Sequence, residues 1–383
     1  MLPQFYQTFF RHLLTQRQYI LLSLLLQTLQ THKHLCLGKL SEALPLPIQA
    51  DSRKTAVQRF LLLERLNILE AWFPLVLYLV REYFSPHHVL KLAIDRTTWW
   101  HYNVLSVVLV WERHALPLHW ILLEHTGNSD FTDQQLLLLP VFQLLSNYKL
   151  RLLADREFCS IELANWLHRR GVELCLRLRV SANFQQTDKE FVCLSSLNLH
   201  PGISLFIQGV RVTKRRMRKG FARFNIACHY AEQVRNMRPA EGWYILTNLP
   251  SLQKAIDAYK ERWGIEVWHK DVKSGGYHLE GVRVSFERMM RVLLLAAIAW
   301  SMAMLKGLEL RKKRLDKYGG RPQENQRELA RHSSFRLGQY AQVWAQQVEQ
   351  WWELLEELVV ACPSKVKYYR RGMEAAKLIL GRT

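Results

Sequence analysis

The chain has 383 residues, and its 53 Lys and Arg against 33 Asp and Glu leave a formal net charge of +20. With 49% hydrophobic and 22% charged residues it has ample material for a packed core, which excludes wholesale disorder, and the positive excess favours a polyanionic partner over a small neutral ligand. The six cysteines, Cys36, Cys159, Cys175, Cys193, Cys228 and Cys362, form no Cys-x-x-Cys pair and no Cys/His cluster, which argues against structural zinc and against a disulfide framework. Two apolar runs, residues 20–29 and 72–80, are shorter than the roughly 20 residues a spanning helix needs. The first residues lack the charged-then-apolar layout of an export signal, so a cytoplasmic location without a membrane partner is expected.

Residues 1–85 repeat apolar positions at three- to four-residue spacing and predict an all-helical module, broken at Leu44-Pro45-Leu46-Pro47. Asp51 or Ser52 is expected to cap a helix whose first turns carry Arg53, Lys54, Gln58 and Arg59, as a groove-reading helix would; a solvated helix start fits the pattern equally well. After Ser85-Pro86, residues 89–95 read as a buried strand ending in Asp95, and 103–112 and 114–124 as antiparallel strands joined by a tight turn. A helix over 132–148, a strand over 149–155 ending in Asp155, a helix over 160–170 and a strand over 172–180 follow. This order predicts an α/β sheet whose first and fourth strands can lie side by side and bring Asp95 and Asp155 together. A lone Asp at a strand end is commonly a turn or helix cap. Two acids after matching strands in a basic protein instead suit a divalent metal acting on a polyanion.

Residues 181–242 change to short strands and turns, a β-rich insertion centred on 204–213 and 221–230. Arg211, Lys214, Arg215, Arg216, Arg218, Lys219 and Arg223 crowd this hairpin with no acid among them. A solvated tip is the plain reading, but such density of like charge favours contact with phosphate. A strand over 243–248, opened by Trp243, leads into a helix predicted to run through Lys273 to the breaker Gly275-Gly276. On that helix Tyr259, Arg262, Glu266 and Lys273 fall within about 60° of one another at about 100° per residue. A third carboxylate on one stripe with a phenol and two cations suits a metal site for a phosphate-bearing substrate, with ordinary helix ion pairing as the alternative. Glu266-x-x-His269 is half of a di-iron carboxylate pair whose other half is missing from the sequence; His269 is left as a helper near the DNA or a surface residue.

The run Tyr259-(2)-Arg262-(3)-Glu266-(6)-Lys273 resembles the signature of the DDE transposases of insertion-sequence family four. Asp95, and Asp155 in Asp155-Arg156-Glu157-Phe158, resemble that family's first and second catalytic acids in order. The resemblance implies a ribonuclease-H-like catalytic core, with a β-rich insertion between the second Asp and the Glu, and two Mg²⁺ ions, or Mn²⁺ as a substitute, on Asp95, Asp155 and Glu266. It also implies that Trp243 stacks on a flipped base at the transposon end, that Lys270 and Lys273 hold the DNA end, and that Arg262 meets phosphate near the cleaved bond. The implied partner is double-stranded DNA, both terminal inverted repeats and target, engaged by a homodimer that needs no nucleotide cofactor.

Residues 292–310 predict a long apolar helix, followed by the basic run 311–314, a Gly/Pro joint at 319–322 and a helical tail over 329–380 that is a candidate for assembly. The expected organisation is a helical DNA-binding domain (1–85), the first part of the core (86–180), the inserted subdomain (181–242), the second part of the core with the Glu-bearing helix (243–305) and the helical C-terminal region (306–383). The expected function is cut-and-paste transposition by way of a hairpin, in a bacterial cytoplasm and on the nucleoid when DNA is bound. Two rivals are a non-catalytic DNA-binding descendant of a transposase and a ribonuclease-H-like nuclease that cuts and never joins.

Overall fold

Apolar spacing turns the N-terminal segment into α1 (Gln4–Leu13), α2 (Gln16–His32), α3 (Leu37–Ala43) and α4 (Ala50–Phe60). Thr15 caps α2 in a reciprocal box with Gln18. The cap expected of Asp51 or Ser52 is not made: α4 starts at Ala50 without a side-chain cap, and Asp51 lies in its first turn, where its charge faces the positive end of the helix dipole. The computed structural model describes residues 2–112, 114–185, 190–213, 222–232, 241–320 and 332–381. They divide into one unit of Met1–Leu75 with Lys270–Thr383 and a second of Val76–His269.

The second unit holds α5 (Phe73–Tyr83) from Val76 on, β1 (Leu90–Trp99), β2 (Tyr102–Trp111), β3 (His114–Leu123), α6 (Phe131–Leu144), β4 (Leu150–Ala154), α7 (Ile161–Arg169) and β5 (Glu173–Arg177). Then come β6 (Asn183–Gln185), β7 (Val192–Cys193), β8 (Ser204–Thr213), β9 (Ala222–His229), β10 (Trp243–Thr247), α8 (Leu252–Lys260) and α9 (Trp263–Val272), which belongs to this unit up to His269. The described strands form one ten-stranded sheet in the order β3-β2-β1-β4-β5-β10-β9-β8-β6-β7. β1, β4 and β5 are mutually parallel, while β2, β3 and β10 run antiparallel to their neighbours. Leu92, Ala93, Ile94, Leu152, Leu153, Ala154, Leu174, Cys175 and Leu176 are wholly buried, as parallel strands covered on both faces must be.

The described strands of the expected insertion extend the core sheet: β10 pairs with both β5 and β9 and carries them onto its edge. Two features differ from the expectation. β1 does not stop at Asp95 but continues to Trp99, because its far half keeps pairing with β2 after β4 has ended. The helix predicted to run through Lys273 is broken into α8 and α9. Arg262 N bonds Tyr259 O and Ile265 N bonds Arg262 O, both i→i−3, which tightens the chain between the two helices. Gly264 permits it, since a Cβ there would lie 2.9 Å from the His114 carbonyl oxygen at the start of β3.

The first unit is completed by α10 (Phe286–Lys312), α11 (Asp316–Gly319), α12 (Ser334–Gln350), α13 (Trp352–Ala361) and α14 (Val366–Leu380). α10 is long and apolar enough to cross a membrane, yet most of its apolar stretch is buried within the structure, as in a core helix packed on several sides. Its polar groups are met from α1 and α2: the buried Tyr6 hydroxyl donates to Ser301 Oγ at 2.9 Å, and Gln30 Nε2 donates to the Ala299 carbonyl. Gly307 of α10 and Gly338 of α12 let the two backbones touch. A Cβ on either would collide with the other helix's carbonyl, Ser334 O or Ala303 O.

Candidate active site

The last parallel pair of β1 and β4 is Ile94 with Ala154, so the next residues along the two strands are Asp95 and Asp155. Asp95 stays inside β1, opposite Ser106 of β2. Asp155 opens the turn after β4, where Phe158 N returns to the Asp155 carbonyl at 3.0 Å and the Phe158 side chain is fully buried. Both acids are followed by arginine, and Arg96 ties the turns together: its Nε and Nη2 form a two-pronged pair with Glu157 at 2.6 and 3.0 Å, while Nη1 donates to Asn103 Oδ1.

α8 is capped by Ser251 and carries in its last turn Tyr259, which is 4% exposed and whose hydroxyl donates to Asp155 Oδ1 at 3.3 Å. Trp243, the first residue of β10, meets the Tyr259 ring edge-on at 5.1 Å. Arg262 sits in the break between α8 and α9, with its guanidinium 5.9 Å from the centre of the same ring and ion-paired to Glu266. His269 is mostly buried between Asp95 and Ser106: Nδ1 is 3.6 Å from Asp95 Oδ2, and Nε2 is 3.2 Å from Ser106 Oγ. It is therefore not a surface residue.

Burial pushes the Asp95 carboxyl up to about 6, and nearby Glu266 and Asp155 add to the rise against Arg262 and the Arg96 N–H. Burial, with Asp155 close by, pushes the Tyr259 phenol well above its ordinary range, so it remains a proton donor. Burial draws the Arg262 guanidinium down, but Tyr259, Asp155, Glu266 and Asp95 outweigh it, and the net shift is upward. Asp95, Asp155 and Glu266 therefore share one electrostatic field, and Arg262 is the cation in it. Their hard oxygens have the donor chemistry of a magnesium-type ion. In this state Glu266 is engaged by Arg262, and among the described residues no three acidic, His or Cys side chains stand in ligating geometry.

Sequence reasoning missed Arg177 and Glu241. Arg177 Nη1 lies 3.8 Å from Asp155 Oδ1, and its Nη2 donates to Glu241 Oε2 at 2.8 Å. Glu241 also takes both prongs of Arg156 at 2.7 and 3.2 Å. Burial raises the Glu241 carboxyl, but the two arginines outweigh it and hold it below the usual range. The only sequence signal was the Asp-Arg pair repeated at 95–96 and 155–156; nothing in the sequence marked Glu241.

The structure thus brings Asp95, Asp155, Glu266, Tyr259, Arg262 and Trp243 together within one unit. Lys270 is in the last turn of α9 and Lys273 follows its end, both in the other unit. Arg53 and Lys54 lie on α4. Arg53 spends its guanidinium on the Ser41 and Ile48 carbonyls, whereas Lys54 is exposed. Arg215, Arg216, Arg218 and Lys219 lie outside the described residues; the strands β8 and β9 that flank them are paired.

Residues 91–302, more than half of the chain, match the sequence family described as transposase DDE domain. The chain belongs to the DDE transposases. Divalent metal ions are the general cofactors of that family, in keeping with the three carboxylates. No curated protein matches this transposase. Among solved structures it is similar to a piggyBac transposase, in the cryo-EM structure of its synaptic complex with hairpin DNA. The two are 11% identical with a TM-score of 0.39, over 97% of this chain and 75% of that one.

Proposed function

We propose that this transposase belongs to insertion-sequence family four and cuts and joins DNA with a ribonuclease-H-like core. The observation that carries the reading is the β1/β4 register, which sets Asp95 beside Asp155 and in one field with Glu266. The strand order β3-β2-β1-β4-β5, in which β2 alone runs against the other four, supports the ribonuclease-H-like assignment. Asp95, Asp155 and Glu266 would hold two Mg²⁺ ions, or Mn²⁺, which supply an activated water or 3′-hydroxyl and stabilise the leaving oxygen.

The chain's own groups do the positioning. Tyr259 holds one oxygen of Asp155 and leaves the other for coordination. His269 and the Arg96 N–H orient Asp95 from two sides. Arg262 turns from Glu266 to a phosphate oxygen when DNA enters, a charge-assisted exchange of carboxylate for phosphate. Trp243, set against Tyr259, offers a face for an unstacked base. Lys270, Lys273, Lys54 and the 214–221 segment bind backbone phosphates of terminal repeats and target, and a homodimer holds two ends, with 306–383 contributing to assembly. The protein would act on the nucleoid of a bacterial cytoplasm.

The test is incubation of the full chain with DNA carrying its element's ends, in Mg²⁺ or EDTA, beside Asp155→Asn and Glu266→Gln. Metal-dependent end cleavage, with both variants binding but not cutting, is the expected result. Binding without any cutting by the unaltered chain would favour a DNA-binding protein, and cutting without strand transfer a plain nuclease.

A further inference from the structure

Three segments of the first unit meet in a cluster of cations outside the carboxylate site. The loop leaving α2 brings Lys33 and His34, with Lys39 following on α3; the turn after α9 brings His278; and α12 brings Arg336 and Tyr340. Backbone ties the first two segments, Leu35 N bonding the Tyr277 carbonyl at 2.9 Å. His34 and His278 stack with ring centres 4.5 Å apart. Lys33 Nζ lies 4.7 Å above the ring of Tyr340, which is 40% exposed. Arg336 rests against Gly275, where a Cβ would come within 3.0 Å of Nη2.

Among the described residues no carboxylate pairs with Lys33, Lys39 or Arg336. Burial and then Arg336 lower the Lys33 ammonium; burial, Lys39, His278 and His32 lower the His34 imidazole. Lys33 and His278 also hold left-handed backbone, with φ of 57° and 49°, a conformation that non-glycine residues keep where the surroundings demand it and that gathers at ligand sites. Like charges drawn together from three segments, beside an exposed aromatic and two stacked rings, form a surface for an anion that repeats along its length.

We propose that Lys33, Lys39 and Arg336 form a docking surface for the phosphate backbone of duplex DNA, separate from the carboxylate centre. It rests on the DNA-binding reading above and extends it. The turn carrying Gly275 and His278 continues from Lys270 and Lys273, so DNA held by those lysines would run on toward this surface.

The test is binding of a mixed-sequence duplex to the full chain at several salt concentrations, for the unaltered protein, Lys39→Ala, and Lys33→Gln with Arg336→Gln. Each lost phosphate contact should reduce the slope of log K against log salt by about 0.9, so Lys39→Ala should lose about one unit and the double variant about two. Lys39 is exposed and its side chain has no partner among the described residues, so Lys39→Ala keeps the fold and decides the matter if the double variant unfolds. A steep slope in the unaltered chain that Lys39→Ala keeps would overturn this surface alone; a flat slope in the unaltered chain would overturn the DNA-binding reading with it. Polyglutamate binding lost in Lys39→Ala while DNA binding stays unchanged would mean that the surface takes an acidic protein, and would also overturn the proposal.

Discussion

At the scale of single residues, Asp95 sets a pH dependence with a definite sign. Its folded-state carboxyl is raised from 3.8 to about 6, so the metal-free fold binds this proton more tightly than the unfolded chain does. Its contribution to stability is then fully present below about 4 and is lost as pH rises to about 6. Thermal melts in EDTA across that window should show the decline, and Asp95→Asn should flatten it. A divalent ion must displace the same proton, so Mg²⁺ affinity, read by calorimetry, should fall below about pH 6. Tyr259→Phe tests a neighbouring contact. Losing one hydrogen bond to Asp155 should slow end cleavage about two- to tenfold, equivalent to about 0.5–1.5 kcal/mol, with DNA affinity unchanged. The thiols give a third outcome. Burial pushes Cys175 up to about 11 and Cys228 up to about 12, so mass spectrometry after brief alkylation at neutral pH should find both unmodified in the folded chain.

At the scale of elements, the α10–α12 contact is the most exacting. Gly338→Ala would force a methyl into the Ala303 carbonyl, and overpacking of this kind costs about 1–3 kcal/mol. A lowered Tm that an equivalent change at Gly372, where a Cβ meets nothing within 4 Å, does not reproduce is the expected result. Most strands were legible in the sequence. β8 was read with its observed bounds, and the pairing of β1 with β4 followed from strand order and apolar character. The break between α8 and α9 was not, because the close approach that requires Gly264 there is to the His114 carbonyl, a neighbour distant in sequence. The same holds for Glu241: an exposed acid next to glycine carries no local pattern, and its two arginine partners are supplied by β5 and the turn after β4. Asp95, Asp155, Glu266, Tyr259 and Arg262 were legible because the family spacing fixes their order, and the register of two parallel strands then fixes where the two Asp residues meet. The burial of His269 was not legible, because Ser106 and Asp95, which enclose it, come from the two strands of a hairpin.

At the scale of the whole molecule, one unit is continuous along the chain and the other is not. Val76–His269 contains all ten described strands and all three carboxylates. Expressed alone, it should give a cooperative melt and strand-rich circular dichroism, whereas Met1–Leu75 alone should not fold. The reason is chemical: α1 and α2 find the partners of Tyr6 and Gln30 on α10, and Leu35 N finds its acceptor at Tyr277.

This discontinuity bears on how the protein is made. As the chain leaves the ribosome, α1 and α2 emerge first but must wait for α10 before their inner faces are covered, and the whole carboxylate-bearing unit is synthesised in between. Each nascent chain therefore carries exposed helices through most of its translation, open to chaperones and proteases. A message cut short or frameshifted after the Glu266 codon would release a polypeptide with its three acids present and its N-terminal helices uncovered.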